Sequence, residues 1–196
     1  MTFPRQLRAA AVLTLLLSVL TGIVYPGAVT ALARIVFLRQ AAGSLVEAGG
    51  RVVGSELIGQ SFTQPWYFHG RPSAAGAGYD GAASSGTNKG PTDAKLAAAI
   101  TERVDSAVAQ SGAVRGEVPA DMVTSSASGL DPHISPANAR LQVAGVARAR
   151  GADSAAVAAL VERHVEGRQF GLLGEPRVNV LLLNIALDSL FARRTP

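Results

Sequence analysis

The sequence predicts an α+β domain carried on a single N-terminal transmembrane helix, and three observations support that expectation. Residues 9–33 form an uncharged, largely apolar run, bracketed by Arg5 and Arg8 before it and by Arg34 and Arg39 after it. About 155 residues remain after one span, the size of one ordinary domain with its own core. Within them, helical periods and short β-branched runs mix without strict strand–helix alternation, the pattern of an α+β fold.

A helix over residues 9–33 rises roughly 37 Å at 1.5 Å per residue, enough to cross a hydrocarbon core of about 30 Å. Leu13, Leu15, Leu16, Leu17, Val19, Leu20, Ile23 and Val24 supply its apolar faces. Proline cannot donate to the helix ladder, so the Tyr25-Pro26-Gly27 corner predicts an end or a kink. The firm boundary is residues 9–24, with a weaker continuation to Val36. A secretory signal is the competing reading, because Ala31-Leu32-Ala33 has the small-x-small form of a cleavage site. The apolar run exceeds the roughly 7–15 residues of an ordinary signal core, which favours an uncleaved anchor. Flanking arginines balance, so charge leaves the orientation open. A short leading tail, and the readiness of long domains to translocate whatever their charge, favour an exterior domain. The division is then a cytoplasmic tail at 1–8, an anchor at 9–36, a juxtamembrane linker at 37–50 and a domain at 51–196.

After the linker, which ends in Gly49-Gly50, alternation and β-branching predict a strand from Val52 towards Phe62. Trp66-Tyr67-Phe68 reads as a packing anchor. Residues 70–91 are rich in Gly, Ala, Ser and Pro and predict a long loop, either a contact surface or a mobile one. Thr92 is the expected N-cap of a helix running to about Gln110, with Leu96, Ile100, Val104 and Val108 on one face and Gly112 closing it. Met122-Val123-Thr124 reads as a short strand and residues 125–135 as a second polar loop. Ser135 caps a helix with Pro136 at its first position and Gly151 at its end. A third helix begins at Asp153 or Ser154, with Val157, Leu160, Val161 and His164 on one face. Residues 178–191 begin like a strand and finish like a helix.

The chain holds 18 Lys and Arg against 14 Asp and Glu. Arg5, Arg8, Arg34 and Arg39 account for the whole excess, so the domain is charge-balanced and has no basic stripe of the kind that binds nucleic acid. With no cysteine in its 196 residues, the protein has neither disulfides nor thiolate metal sites.

Residues 81–89 superficially resemble a phosphate loop but fail its test. Thr87 and Asn88 separate the second glycine from Lys89, and Gly90 stands where a metal-binding hydroxyl is needed. His69, His133 and His164 have no metal-ligand spacing. Asp131-Pro132-His133 reads as a turn in which Asp131 holds backbone amides. Ser126 and Ser128 lack a nucleophile elbow. No catalytic constellation stands out, and a non-catalytic partner is the reading these residues support.

Several stretches together resemble one family, the C subunit of the bacterial Kdp potassium pump, KdpC. They are Gly54-Ser55-Glu56-Leu57-Ile58-Gly59-Gln60-Ser61-Phe62, Tyr67-Phe68-His69-Gly70-Arg71-Pro72-Ser73-Ala74 and Gly86-Thr87-Asn88-Lys89-Gly90-Pro91-Thr92. The most specific is Ser128-Gly129-Leu130-Asp131-Pro132-His133-Ile134-Ser135-Pro136, followed by Gly174-Glu175-Pro176-Arg177-Val178-Asn179-Val180. The chain departs from the family's usual pattern at Ser85, Thr87, Ala127 and Val165, which weakens any claim that a particular hydroxyl is required.

The resemblance implies a non-enzymatic, single-pass subunit of an ATP-driven potassium importer in the cytoplasmic (inner) membrane. Its partners would be the bilayer, a KdpA-like channel subunit, a KdpB-like ATPase subunit and a KdpF-like small subunit, with most of the chain on the outer face. It also implies a catalytic-chaperone role that raises ATP affinity, although ATP is cytosolic and an exterior domain cannot touch it. No intrinsic cofactor is expected; ATP enters by resemblance alone. If the domain docks on the channel subunit, the polar-loop residues Arg71, Asn88, Asp131 and His133 are the candidate contacts, with loop stabilisation as their other reading. An anchored hydrolase or a cleaved solute-binding protein are the alternatives.

Overall fold

The computed structural model describes residues 3–191. The chain separates after Leu45 into two compact units. The first is dominated by one long apolar helical rod, Phe3–Val36. It comprises α1 (Phe3–Val19), a π-helical turn (Leu20–Val24) and α2 (Tyr25–Val36), and none of its residues is buried. At about 1.5 Å per residue the rod is roughly 50 Å long, longer than the hydrocarbon core, so it reaches past Arg5 and Arg8 at one end.

Pro26 neither ends nor kinks the rod out of helical structure. The turn ahead of it widens, and Tyr25 N–H bonds the Leu20 carbonyl five residues back. A proline removes one ladder bond and crowds the carbonyl four residues before it, and one π turn re-registers the ladder around that defect. Thr21 Oγ1 donates to the Leu17 carbonyl at 2.7 Å, keeping its hydroxyl satisfied inside the rod. The short α3 (Leu38–Ala41) follows.

Residues 37–50, expected as a linker, therefore contain α3 and also β1 (Leu45–Ala48). Gly49 and Gly50 have φ of 58° and 74°, the pair of left-handed residues that a two-residue type I′ hairpin demands. They turn β1 into β2 (Arg51–Ser55). The strand expected to continue towards Phe62 stops at Ser55, where Ser55 Oγ accepts from Leu57 N–H in a local turn.

Residues 56–93 have no helix or strand, yet they are tied down. Ser73 Oγ donates to the Gly129 carbonyl at 2.6 Å and accepts from Tyr79 N–H at 2.8 Å. Ser85 N–H donates to the Ser128 carbonyl at 2.9 Å. At Gly129 (φ 68°) a Cβ would meet the Ser85 carbonyl oxygen at 2.6 Å, so the two loops approach too closely for a side chain.

α4 (Ala94–Ser111) is capped by Asp93, whose Oδ1 accepts from the N–H groups of Lys95 and Leu96. The expected Thr92 lies one residue too early, because a carboxylate in extended backbone reaches the first free amides better. Gly112 closes the helix at φ 74°. Residues 122–124 are not a strand: α5 (Ala120–Val123) occupies the stretch, a single turn following Pro119.

β3 (His133–Ile134), α6 (Pro136–Arg150), α7 (Ser154–Arg163), β4 (Val165–Glu166), β5 (Arg177–Asn179) and α8 (Val180–Leu190) complete the domain. The three strands form an antiparallel sheet in the order β3-β5-β4, with His133 opposite Asn179 and Val165 opposite Val178. Ser135, Asp153 and Asn179 cap α6, α7 and α8 through their side chains.

The core gathers Phe68, Ile134, Val143, Val146, Val157, Leu160, Val161, Val178, Leu183 and Leu187. Phe68 is its loop-borne plug, as the aromatic cluster predicts, and its N–H and C=O each bond the Asn184 side chain at 2.9 Å. Arg150, fully enclosed, donates to the carbonyls of Trp66 and Phe191 and to Asp188, and lies 5.1 Å from the centre of the Tyr67 ring. His164 is the C-cap of α7, half-buried, with Nδ1 2.9 Å from the Leu160 carbonyl.

Candidate functional site

Arg71 leaves the long loop, Asp131 the turn before β3 and His133 the first position of β3, and the three meet at one open cleft of about 580 Å³. Arg71 Nη1 lies 3.2 Å from Asp131 Oδ2. The rest of its guanidinium donates to the carbonyls of Thr124 and Ser125 at 3.4–3.5 Å. Asp131 Oδ1 accepts the His133 backbone N–H at 3.0 Å, the amide-holding turn that the sequence predicts, and lies 3.6 Å from His133 Nδ1.

Burial works to raise the Asp131 pKa. The hydrogen bonding from His133 and the Arg71 guanidinium outweigh it and hold the carboxyl below its ordinary value. A charged Asp131 is thus the ground state of the site.

Tyr79 pins the cleft from behind. Its hydroxyl donates to the Arg71 carbonyl at 2.5 Å. Burial first, then the negative charge of Asp131, push its pKa to about 12 despite Arg71. Gly59 is required beside it: a Cβ there would meet the Asp131 carbonyl oxygen at 2.5 Å and the Tyr79 ring at 2.8 Å.

The far wall was not foreseen from the sequence. Asp121 accepts from Ser135 N–H at 2.7 Å, from Ser135 Oγ at 2.9 Å and from Asn138 Nδ2 at 3.0 Å, tying α5 to the start of α6. Glu175 and Arg177 line the remaining edge. A lone tyrosine in a Gly/Ala/Ser loop was the one signal that could have exposed the pin. Nothing local distinguishes Asp121 from a solvated helix carboxylate.

Asn88 is not part of this arrangement. It lies outside the cleft lining, exposed on the long loop with φ 52°, a conformation that asparagine tolerates better than most residues. His69 and His164 also sit elsewhere. No group of His, Asp and Glu suited to a metal ion occurs among the described residues.

The cleft chemistry does not suit a triphosphate. Arg71 is committed to Asp131 and two carbonyls and Arg177 to Glu166, while Asp121, Asp131 and Glu175 present negative charge to the same space. Phosphate sites need converging amides or uncommitted cations. The 81–89 segment offers neither a preceding strand nor an immediately following helix. What the cleft can do is present a rigid, alternately charged rim with its internal hydrogen bonds already made.

A family model described as KdpC, K+-transporting ATPase, c chain, matches residues 7–189, spanning most of the rod and nearly all of the domain. The chain belongs to the KdpC family. It is similar to a potassium-transporting ATPase KdpC subunit of Gemmatimonas aurantiaca, 64% identical over 96% of this chain and 94% of that one. A Myxococcus xanthus protein of the same description is 60% identical, over 88% of this chain and 82% of its own length. One from Koribacter versatilis is 50% identical over 98% of both. Such matches cover both units of the chain, so the long apolar helix belongs to the family pattern as much as the cleft does.

Proposed function

We propose that this chain is the accessory, non-catalytic C subunit of an ATP-driven potassium uptake complex, held in the cytoplasmic membrane by residues 3–36 with its domain on the outer face. The family match across residues 7–189 carries the reading. The transport and phosphorylation chemistry belongs to partner chains, a channel-like subunit and a P-type ATPase subunit, with a small fourth subunit beside them.

The Arg71–Asp131–His133 rim docks against the channel-like partner. Its alternating charges suit a polar partner surface, and internal pairing holds them in place before contact, lowering the ordering cost of association. Asn88, exposed farther along the same long loop and outside the cleft, makes a second contact. Any effect on ATP use is transmitted through assembly, since the cleft's donors are unsuited to a triphosphate and ATP lies across the membrane. A hydrolase or a free solute-binding protein is disfavoured by the family match.

Affinity purification of the tagged full chain from mild detergent, after co-expression with the other pump subunits, tests the reading. A channel-like protein and a P-type ATPase should copurify, and His133→Ala should reduce their yield. A chain recovered alone would overturn the proposal.

A further inference from the structure

The hairpin between β4 and β5 ends in an apolar tip that the domain core does not use. Phe170 is 89% exposed, Leu172 75% and Leu173 56%. The tip is built rather than trailing. Gln169 and Leu173 form an antiparallel bridge, exchanging two N–H···O bonds of 2.9 Å. The N–H groups of Gly171 and Leu172 bond the carbonyls of Arg168 and Gln169 at 3.0 and 3.1 Å. Two ion pairs clamp the stem, Arg168 to Glu175 at 2.7 Å and Arg177 to Glu166 at 2.9 Å.

Phe170 has φ 54°, next to Gly171 at 74°. A bulky side chain is disfavoured in that conformation, and glycine or asparagine would adopt it with less strain. The ring gains almost no burial in return. Local strain without a local reward marks a residue whose contact lies outside its own chain.

Charge decides the occupant. Residues 165–178 carry Glu166, Arg168, Glu175 and Arg177, all four within the two pairs. An anionic membrane surface calls for uncommitted Lys or Arg beside the apolar residues, with Trp or Tyr at headgroup level, and the tip has neither. A neutral, pre-bent aromatic tip with charged residues only at its base matches an anchor entering a protein pocket, its polar rim outside. We propose that residues 170–173 form a docking finger that seats Phe170 in an apolar pocket on another subunit of the potassium-transporting ATPase. This rests on the assembly reading above.

The absence of native cysteine makes Phe170→Cys the sole thiol of this chain, to which a maleimide–benzophenone probe can be attached before the full chain is combined with the other subunits into the complete detergent-solubilised complex. Illumination should give an adduct with another pump subunit, mapped to an apolar segment, whereas the exposed control Ala82→Cys should give none there. Phe170→Asn should leave the thermal midpoint of the chain unchanged or higher while lowering partner recovery about tenfold; a lowered midpoint with full recovery would overturn the finger. Adducts confined to lipid or to a second copy of this chain would also overturn it. Copurification intact but without an adduct would remove the finger and leave the assembly reading standing, while an unmodified chain recovered alone would remove both.

Discussion

Two helices of this protein are rich in the same apolar residues and meet opposite surroundings. In α8, Leu183 and Leu187 are fully buried, sharing the core with Leu160, Val161 and Val178. In α1, Leu13, Leu15 and Leu16 are 59%, 66% and 58% exposed. What separates them is the polar residue placed among the leucines. Asn184 of α8 clasps both backbone groups of Phe68 and Asp188 receives Arg150 and Tyr67, so α8 is cut to fit protein neighbours. Between its flanking arginines the rod's polar side chains are hydroxyls alone, Thr14, Ser18, Thr21, Tyr25 and Thr30; Thr21, near the middle, is bonded back onto its own helix, and the remaining faces suit hydrocarbon. Composition says how apolar a helix is; its polar positions say which solvent it was built for.

The largest effect that tests this contrast is a truncation in each helix. Leu183→Ala should lower the unfolding free energy of the domain by about 2–5 kcal/mol in urea titration. Leu16→Ala should leave that titration unchanged, and equal effects would break the comparison. Leu16→Arg places a charge near the middle of the rod and should oppose membrane insertion by about 2.5–3.5 kcal/mol. Alkaline extraction of membranes reads that loss, with domain unfolding unaltered.

Asn184→Ala sharpens the contrast by removing the polar fit while keeping the apolar face. Leaving Phe68 N–H and C=O without partners should cost about 2 kcal/mol, and Asn184→Leu should not restore it. The smallest effect belongs to the cleft. Asp131 has a lowered folded-state pKa, so its contribution is present above its ordinary value near 3.8 and is lost as pH falls through the lower folded value. Asp131→Asn should cost about 1 kcal/mol at neutral pH, modest because the pair is partly exposed. It should also flatten the stability loss below about pH 4 in acid titrations followed by circular dichroism.

Much of the framework was legible locally. The Ser135-Pro136 start and the Gly151 stop of α6, the Asp153 start of α7 and the strand-to-helix change at residues 178–191 all depend on residues within one turn of each other. The misread stretches are those where a local signal competed with a distant one. Gly49-Gly50 looked like the end of a linker until two strands closed around it. Met122 and Val123 have strand propensity, yet the stretch is helical, with Asp121 bonded to Ser135 and Asn138. Pro26 looked like a terminus until the preceding turn widened.

Of the cleft, the Asp131–His133 turn was readable because it spans three residues. The reach of Arg71 across sixty positions was not, and neither was the separation of Asn88 from the group.

The sequence by itself determined that one apolar rod with charged flanks precedes a charge-balanced α+β domain without cysteine, and which family the motifs resemble, because span length, periodicity, caps and composition are local or additive properties. Only the tertiary structure decided that three of four polar-loop candidates share a cleft, that a structureless loop is held firmly by serine and tyrosine hydroxyls, and that Phe170 stands exposed on a clamped hairpin. Those outcomes depend on long-range pairing and on which surfaces other parts of the chain leave uncovered, and neither is encoded within any one window of residues.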